Sequence, residues 1–295
     1  MNTTPLDSIA RAFGNGEIIP FIGPGVLSFD DAEVKLPASH LALVGHLTAK
    51  SSVPYKVRKN LGAAAQFIEN FKHRSTVTTA MTEAFSTDAQ PTALHKLLLN
   101  QPALPLVVHA WYDDLPQKAL RSCASWGMTQ GVSQSEHFGD WIYYYNSDGS
   151  YAGVEADGSH AAWKTLLYQP LGSVWPARNY LVSDSDFVEV ITEIDIQTPI
   201  PVSVQEIRKG RSFLFLGCRF SMQLDRLFAH QIIKRSSGKH WAIIPEDTTR
   251  NEARFLEEHN IERIPLGLAE FVAEFSKLQQ LNECFQDNSV VYPTR

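Results

Sequence analysis

Cysteine is scarce in this sequence: Cys123, Cys218 and Cys284 are three residues, far apart and odd in number. They can build neither a disulfide framework nor a four-cysteine zinc ribbon, and their rarity points to a reducing compartment. Long apolar runs are also missing. None approaches the roughly 20 residues of a membrane span, and the opening stretch MNTTPLDSIARAFGNGE has no signal-peptide core. A cytoplasmic location with no membrane contact is therefore expected. Basic residues do not prevail either, since 26 Lys and Arg face 32 Asp and Glu, a net charge of −6. Nucleic acid is thus not an expected partner, because nonspecific binding needs a surplus of positive charge. The sequence contains no G-x-S-x-G elbow, no H-E-x-x-H and no Lys-Ser/Thr of a P-loop. Its 10 histidines are scattered, and His40 and His46 do not share a helix face cleanly. They read as surface or cap residues, and no metal site is expected.

What is present suits a soluble globular protein: 44% hydrophobic and 20% charged residues in 295. Short apolar runs alternate with helical patterns, the signature of an α/β protein with a mainly parallel sheet. Strands are expected at 18–23, 104–110, 163–169, 212–218, 240–246 and 261–266, each β-branched or aromatic and bounded by Gly, Pro or charge. MQLDRLFAHQIIKR sets Leu224, Leu227, Phe228 and Ile232 on one helix face. Residues 37–100 read as helix throughout, a cap inserted after the first strand. Residues 139–162 read as a hairpin around Asn146-Ser147-Asp148-Gly149, with Trp141, Tyr143 and Tyr145 expected to pack it rather than stack on a ligand. The expected architecture is one Rossmann-like domain over 1–295, helices on both faces of the sheet. Its core is 1–36 and 101–295, carrying the helical cap (37–100) and the β-hairpin insertion (139–162).

EIIPFIGPGVLSF, residues 17–29, is the stretch that first suggests a ligand. Gly23 and Gly25 after an apolar strand would let backbone N–H groups approach a phosphate. The third glycine of a dinucleotide fingerprint is missing, so a plain strand-to-helix turn stays open beside a nucleotide loop. Cys218, just after the strand at 212–218, falls near the sheet's ligand-binding end. The three thiols otherwise read as buried and structural.

Taken in order, five stretches resemble the sirtuin-like NAD-hydrolase superfamily, in the zinc-free branch found in bacterial defence proteins. IIPFIGPGVLSF resembles that family's first strand and Gly-Ala-Gly-x-Ser loop. PTALHKLLLNQPALPLVVHAWYDDLPQKAL is similar to its helix ending in His, then a strand, a Thr-Thr-Asn-Tyr-Asp motif and a further helix. LLYQPLGSVWP stands where the family has a strand running into His-Gly. NYLVSDSDFVEVI resembles the acidic-aromatic segment that follows, and SFLFLGCRFSMQLDRLF its Leu-Gly-Tyr-x-x-x-Asp turn. The resemblance implies an NAD or ADP-ribose ligand and no metal. Gly23, Gly25, Val26, Ser28, Tyr112, Gly172, Gly217, Cys218 and Asp225 would lie near it. Asp225 could equally be a helix-face charge pairing with Arg226 or Arg219. A protein partner or homo-oligomer is likewise implied.

The departures from that pattern decide the expected function. Tyr112 and Asp113 match, but the Asn position holds Trp111 and the His position Leu171, followed by the expected Gly172. Pro24 and Leu27 replace the loop Ala and Ser, and the two Thr positions hold His109 and Ala110. Leu171 has no proton to exchange, and an indole donates one N–H where an amide both donates and accepts. His109, on the same face as Trp111 if strand alternation persists, could stand in as a base or simply bond locally. The expectation is a pseudoenzyme: a catalytically impaired nucleotide-binding or protein-interaction module. The alternative is an active NAD glycohydrolase in antiviral defence.

Overall fold

The structure, a computed structural model, describes residues 5–29, 36–123, 125–137, 139–153, 162–194 and 200–287. Its strands are β1 (Ile18–Ile22), β2 (Leu106–His109), β3 (Trp126–Gly131), β4 (Ile142–Asn146), β5 (Tyr151–Gly153), β6 (Thr165–Gln169), β7 (Gly172–Ser173), β8 (Asn179–Tyr180), β9 (Ser212–Leu216), β10 (His240–Ile243) and β11 (Ile261–Ile264). The helices are α1 (Pro5–Gly14), α2 (His40–Ala49), α3 (Leu61–Lys72), α4 (Arg74–Phe85), α5 (Ala93–Leu99), α6 (Leu115–Leu120), α7 (Asp184–Ile194), α8 (Val202–Ile207), α9 (Gln223–Ile233), α10 (Arg250–Glu258) and α11 (Leu268–Asp287). Nine strands form one sheet in the order β11-β10-β9-β1-β2-β6-β3-β4-β5. The first seven run parallel, and the β4–β5 hairpin is antiparallel.

Every residue of β1, β2, β3 and β6 is buried, as strands covered on both faces require. On one face α1 packs on α11, and α11 and α6 pack on α5. On the other, α7 meets α9, with Phe187 edge-on to Phe228 at 5.9 Å. The chain is therefore a mainly parallel, Rossmann-like α/β fold. Helix starts follow local capping chemistry: Ser39, Asn60, Thr92 and Thr249 each accept a backbone N–H of the first turn.

All six expected strands are present, each a little shorter than its apolar run. α2, α3 and α4 pack on one another, whereas α5, within the same all-helical segment, packs on α6 and α11 instead. The hairpin turns at Asn146–Gly149 and continues the sheet through β3 rather than standing apart. Residues 154–161 of that segment and the Cys284 side chain lie outside the description. β3 was not expected. Its sequence WGMTQG contains no β-branched run, and Gly127 is needed because a Cβ there would meet the Trp163 ring at 2.2 Å. Among the described residues no helix is long and apolar enough to cross a membrane.

Candidate functional site

The chain winds from β1 towards β2 in one direction and from β9 through β10 to β11 in the other. The crevice outside the carboxyl ends of β1 and β9 is therefore the switch point where open α/β sheets take ligands. Here the two loops touch backbone to backbone. Gly23 N–H donates to Leu216 O at 2.9 Å, Gly25 N–H to Gly217 O at 2.9 Å, and Val26 N–H to Gly23 O at 3.4 Å. A Cβ on Gly25 would stand 2.8 Å from Gly217 O, and one on Gly217 would stand 2.4 Å from Val26 N. Gly217 also has φ +64°, a left-handed conformation that side chains resist. These glycines serve a close loop–loop contact, and donors expected to face a phosphate are turned inward. Ser28 is exposed, and its hydroxyl donates to Gly25 O at 2.8 Å.

The β9 side of the crevice is pinned to α10. Arg219 Nε and Phe220 N–H both donate to Glu252 Oε1 at 3.0 Å, while Thr249 N–H donates to Glu252 Oε2 at 2.9 Å. Burial alone would raise the Glu252 carboxyl; the Arg219 contacts and the backbone donors outweigh it and bring it down to about 2. Cys218 is buried, with its thiol pushed up by that burial, so it is inert.

After β2 the chain turns, and consecutive residues face different surroundings. β2 ends at His109, so strand alternation does not carry on to Trp111, and the two do not share a face. His109 is fully buried. Its Nε2–H donates to Asp113 Oδ2 at 3.1 Å, and its Nδ1 accepts the Gln169 amide at 3.3 Å. Both ring nitrogens are engaged, which leaves no lone pair for a substrate proton. Gln169 Oε1 in turn accepts the amides of Gln117 at 2.9 Å and Gln130 at 2.8 Å, and both also donate to Trp175 O. Burial would raise the Asp113 carboxyl, but His109, nearby His95 and the Leu115 N–H hold it below the usual carboxylate range. Burial lowers His95 itself to about 4.

Trp111 is also fully buried. Its Nε1–H donates to Pro37 O at 2.8 Å. His40 lies edge-on to it at 5.3 Å and Phe85 at 6.0 Å, with the Tyr112 ring tilted against it at 5.1 Å. Tyr112 joins this turn to the next one: its hydroxyl donates to Leu181 O at 2.8 Å, and its carbonyl accepts Val174 N–H at 2.8 Å. Leu171, 9% exposed, accepts Leu181 N–H at 2.9 Å, and Gly172 follows at φ +78°. Asp225, in the first turn of α9, lies 3.6 Å from His40 Nε2. Its carboxyl is pushed up to about 6 by its crowded surroundings, with His40 and Arg226 opposing that rise.

The structure thus gathers Gly23, Gly25, Val26, Gly217 and Cys218 at one junction, with Trp111 and Asp225 linked through His40. Tyr112, Leu171 and Gly172 lie on neighbouring turns, while His109 and Asp113 belong to the polar network behind them. Sequence reasoning assigned no role to Gln117, Gln130, Gln169 or His95, and read His40 as a surface or cap residue. Only the Ser39 cap marks the start of α2, and nothing local says that this start docks on the end of β2. Backbone contact closes the two loops on each other at the junction, so an NAD-sized group does not fit between them as they stand. A surface groove of about 370 Å³ between α9 and α10, along Arg226, His230, Phe255 and His259, shares no lining residue with it. Among the described residues no cluster of three or more His, Cys, Asp or Glu could hold a metal ion.

These features define a doubly wound α/β protein with its loops converging at the switch point. A family model described as a SIR2-like domain matches residues 105–264, more than half of the chain, and the chain belongs to that family. No curated protein matches it. Among solved structures it is similar to a chain described as "Structural Basis for the Mechanism and Regulation of Sir2 Enzymes". The identity is 12% over 95% of this chain and 98% of that one, with a TM-score of 0.41.

Proposed function

We propose that this SIR2-like chain is a binding and regulatory module, impaired in catalysis, that responds to NAD or ADP-ribose or to a protein partner without cleaving a nucleotide. One observation carries the reading. At the position of the family's amide stands an indole with no exposed surface, its N–H committed to Pro37 O. The supporting facts agree: Leu171 has no proton to move, and both ring nitrogens of His109, the candidate substitute base, are occupied inside the protein. General acid–base assistance is worth about 10²- to 10⁴-fold in rate, so its loss leaves little turnover.

A nicotinamide-release assay and a thermal-shift titration with NAD and ADP-ribose test the two halves. No nicotinamide, together with a nucleotide-dependent rise in melting temperature, is the expected pair. Release of nicotinamide would favour the alternative, an active NAD glycohydrolase. No shift with either nucleotide would leave a protein partner or a second copy of the chain as what the module binds.

A further inference from the structure

A short strap, residues 37–40, leads into α2 and reaches from the turn after β2 to the first turn of α9, past the end of β1. Two polar contacts hold it to the core: Trp111 Nε1–H on Pro37 O at 2.8 Å, and His40 Nε2 at 3.6 Å from Asp225 Oδ1. The first contact is wholly buried. The second lies at the rim, with the His40 side chain 33% and the Asp225 side chain 27% exposed. The rim pair ties the start of α2 to α9 across the mouth of the crevice.

From this geometry we infer that His40 and Asp225 form a latch that keeps the strap closed over Trp111 and the β1–β9 junction. Leaving the Asp225 carboxylate without the imidazole opposite it opens the crevice to a ligand. The inference rests on the reading above and names the regulation of the same site. Its logic is that of a charge brought into a crowded place. An ionised carboxylate loses hydration as the strap closes, and the imidazole facing it offsets that loss. The raised titration of Asp225 agrees, since the closed form disfavours its charge. The charged and titratable groups around Asp225 are His40 on α2, Arg226 on its own helix and Glu252 on α10; its charge also raises Cys218 and Tyr112. Removing His40 therefore opens the strap by leaving the carboxylate uncompensated. Removing the charge of Asp225 as well closes it again.

Native-state amide exchange tests this, because protection of residues 38–46 reports how often the strap and the first turns of α2 open. His40→Ala should raise exchange there about two- to fivefold, the range of a partly exposed ion pair. Protection of β1 and β9 should stay unchanged, as a control for folding. Asp225→Asn alone should leave the strap protected, and the double variant should return close to wild type. The conservative His40→Gln serves if His40→Ala fails to fold. Unchanged exchange in the histidine variants, or opening that persists undiminished in the double variant, would overturn the latch. Thermal shifts with NAD and ADP-ribose on the same proteins separate the two claims. If the strap opens and no nucleotide binds any variant, the latch stands and the nucleotide half of the functional reading falls.

Discussion

The two sides of the turn after β2 make opposite use of buried residues. Behind it, His109, Asp113, Gln117, Gln130 and Gln169 form a polar network in which no residue is more than 2% exposed and every amide donor meets an acceptor, although Oε1 of Gln117 and of Gln130 is left without a donor. In front stand an indole, an isobutyl group and, at the β1–β9 junction, glycine packed on glycine. The titratable groups at the rim of the crevice, His40 and Asp225, face each other. Matching a motif at Tyr112 and Asp113 therefore says how the turn is held, not what it catalyses.

The largest effect should come from the polar side. Asp113→Ala leaves the His109 Nε2–H and the Leu115 N–H without an acceptor in the interior, and should cost about 3–5 kcal/mol in urea unfolding. A cost under about 1 kcal/mol would mean that the network is not what fixes the turn. Next comes the closed face. Gly217→Ala sets a Cβ 2.4 Å from Val26 N at φ +64°, and should cost about 2–4 kcal/mol through strain and overpacking. A neutral substitution would mean that the two loops stand apart in solution and the crevice is open.

Acid provides the smallest and most specific test. Glu252 titrates near 2 in the folded chain against an ordinary 4.5. A depressed carboxylate stabilises the fold above its ordinary value, and that contribution is lost as pH falls from about 4.5 towards 2. Asp113 and Asp186 are lowered too, so the difference between wild type and Glu252→Gln isolates the Arg219–Glu252 anchor. Stability of the variant should fall less steeply over that window. Parallel curves would remove this anchor from the account of how the β9 loop is held.

Much of the fold was legible in the sequence because parallel strands are continuous apolar runs and the caps are local. β3 escaped because Trp126, Gly127 and Met128 carry no strand periodicity; it is a strand through its pairing with β6 and β4. α5 read as part of the cap because amphipathic spacing says that a face is buried, not what covers it. In the site, the substitutions at Trp111 and Leu171 could be read from the motif pattern, but not their surroundings. The Trp111 acceptor, Pro37 O, lies 74 residues away in the chain. Gly23 and Gly25 looked like a phosphate cradle because the requirement for a missing Cβ is the same whether a phosphate or Gly217 comes close.

The most direct test is nicotinamide release from NAD by the purified chain, followed over hours against a protein-free control. A filled, apolar reaction centre predicts release no faster than the control, in wild type and in His109→Ala alike. Steady release that scales with protein concentration and disappears when Trp111 or His40 is replaced would contradict it.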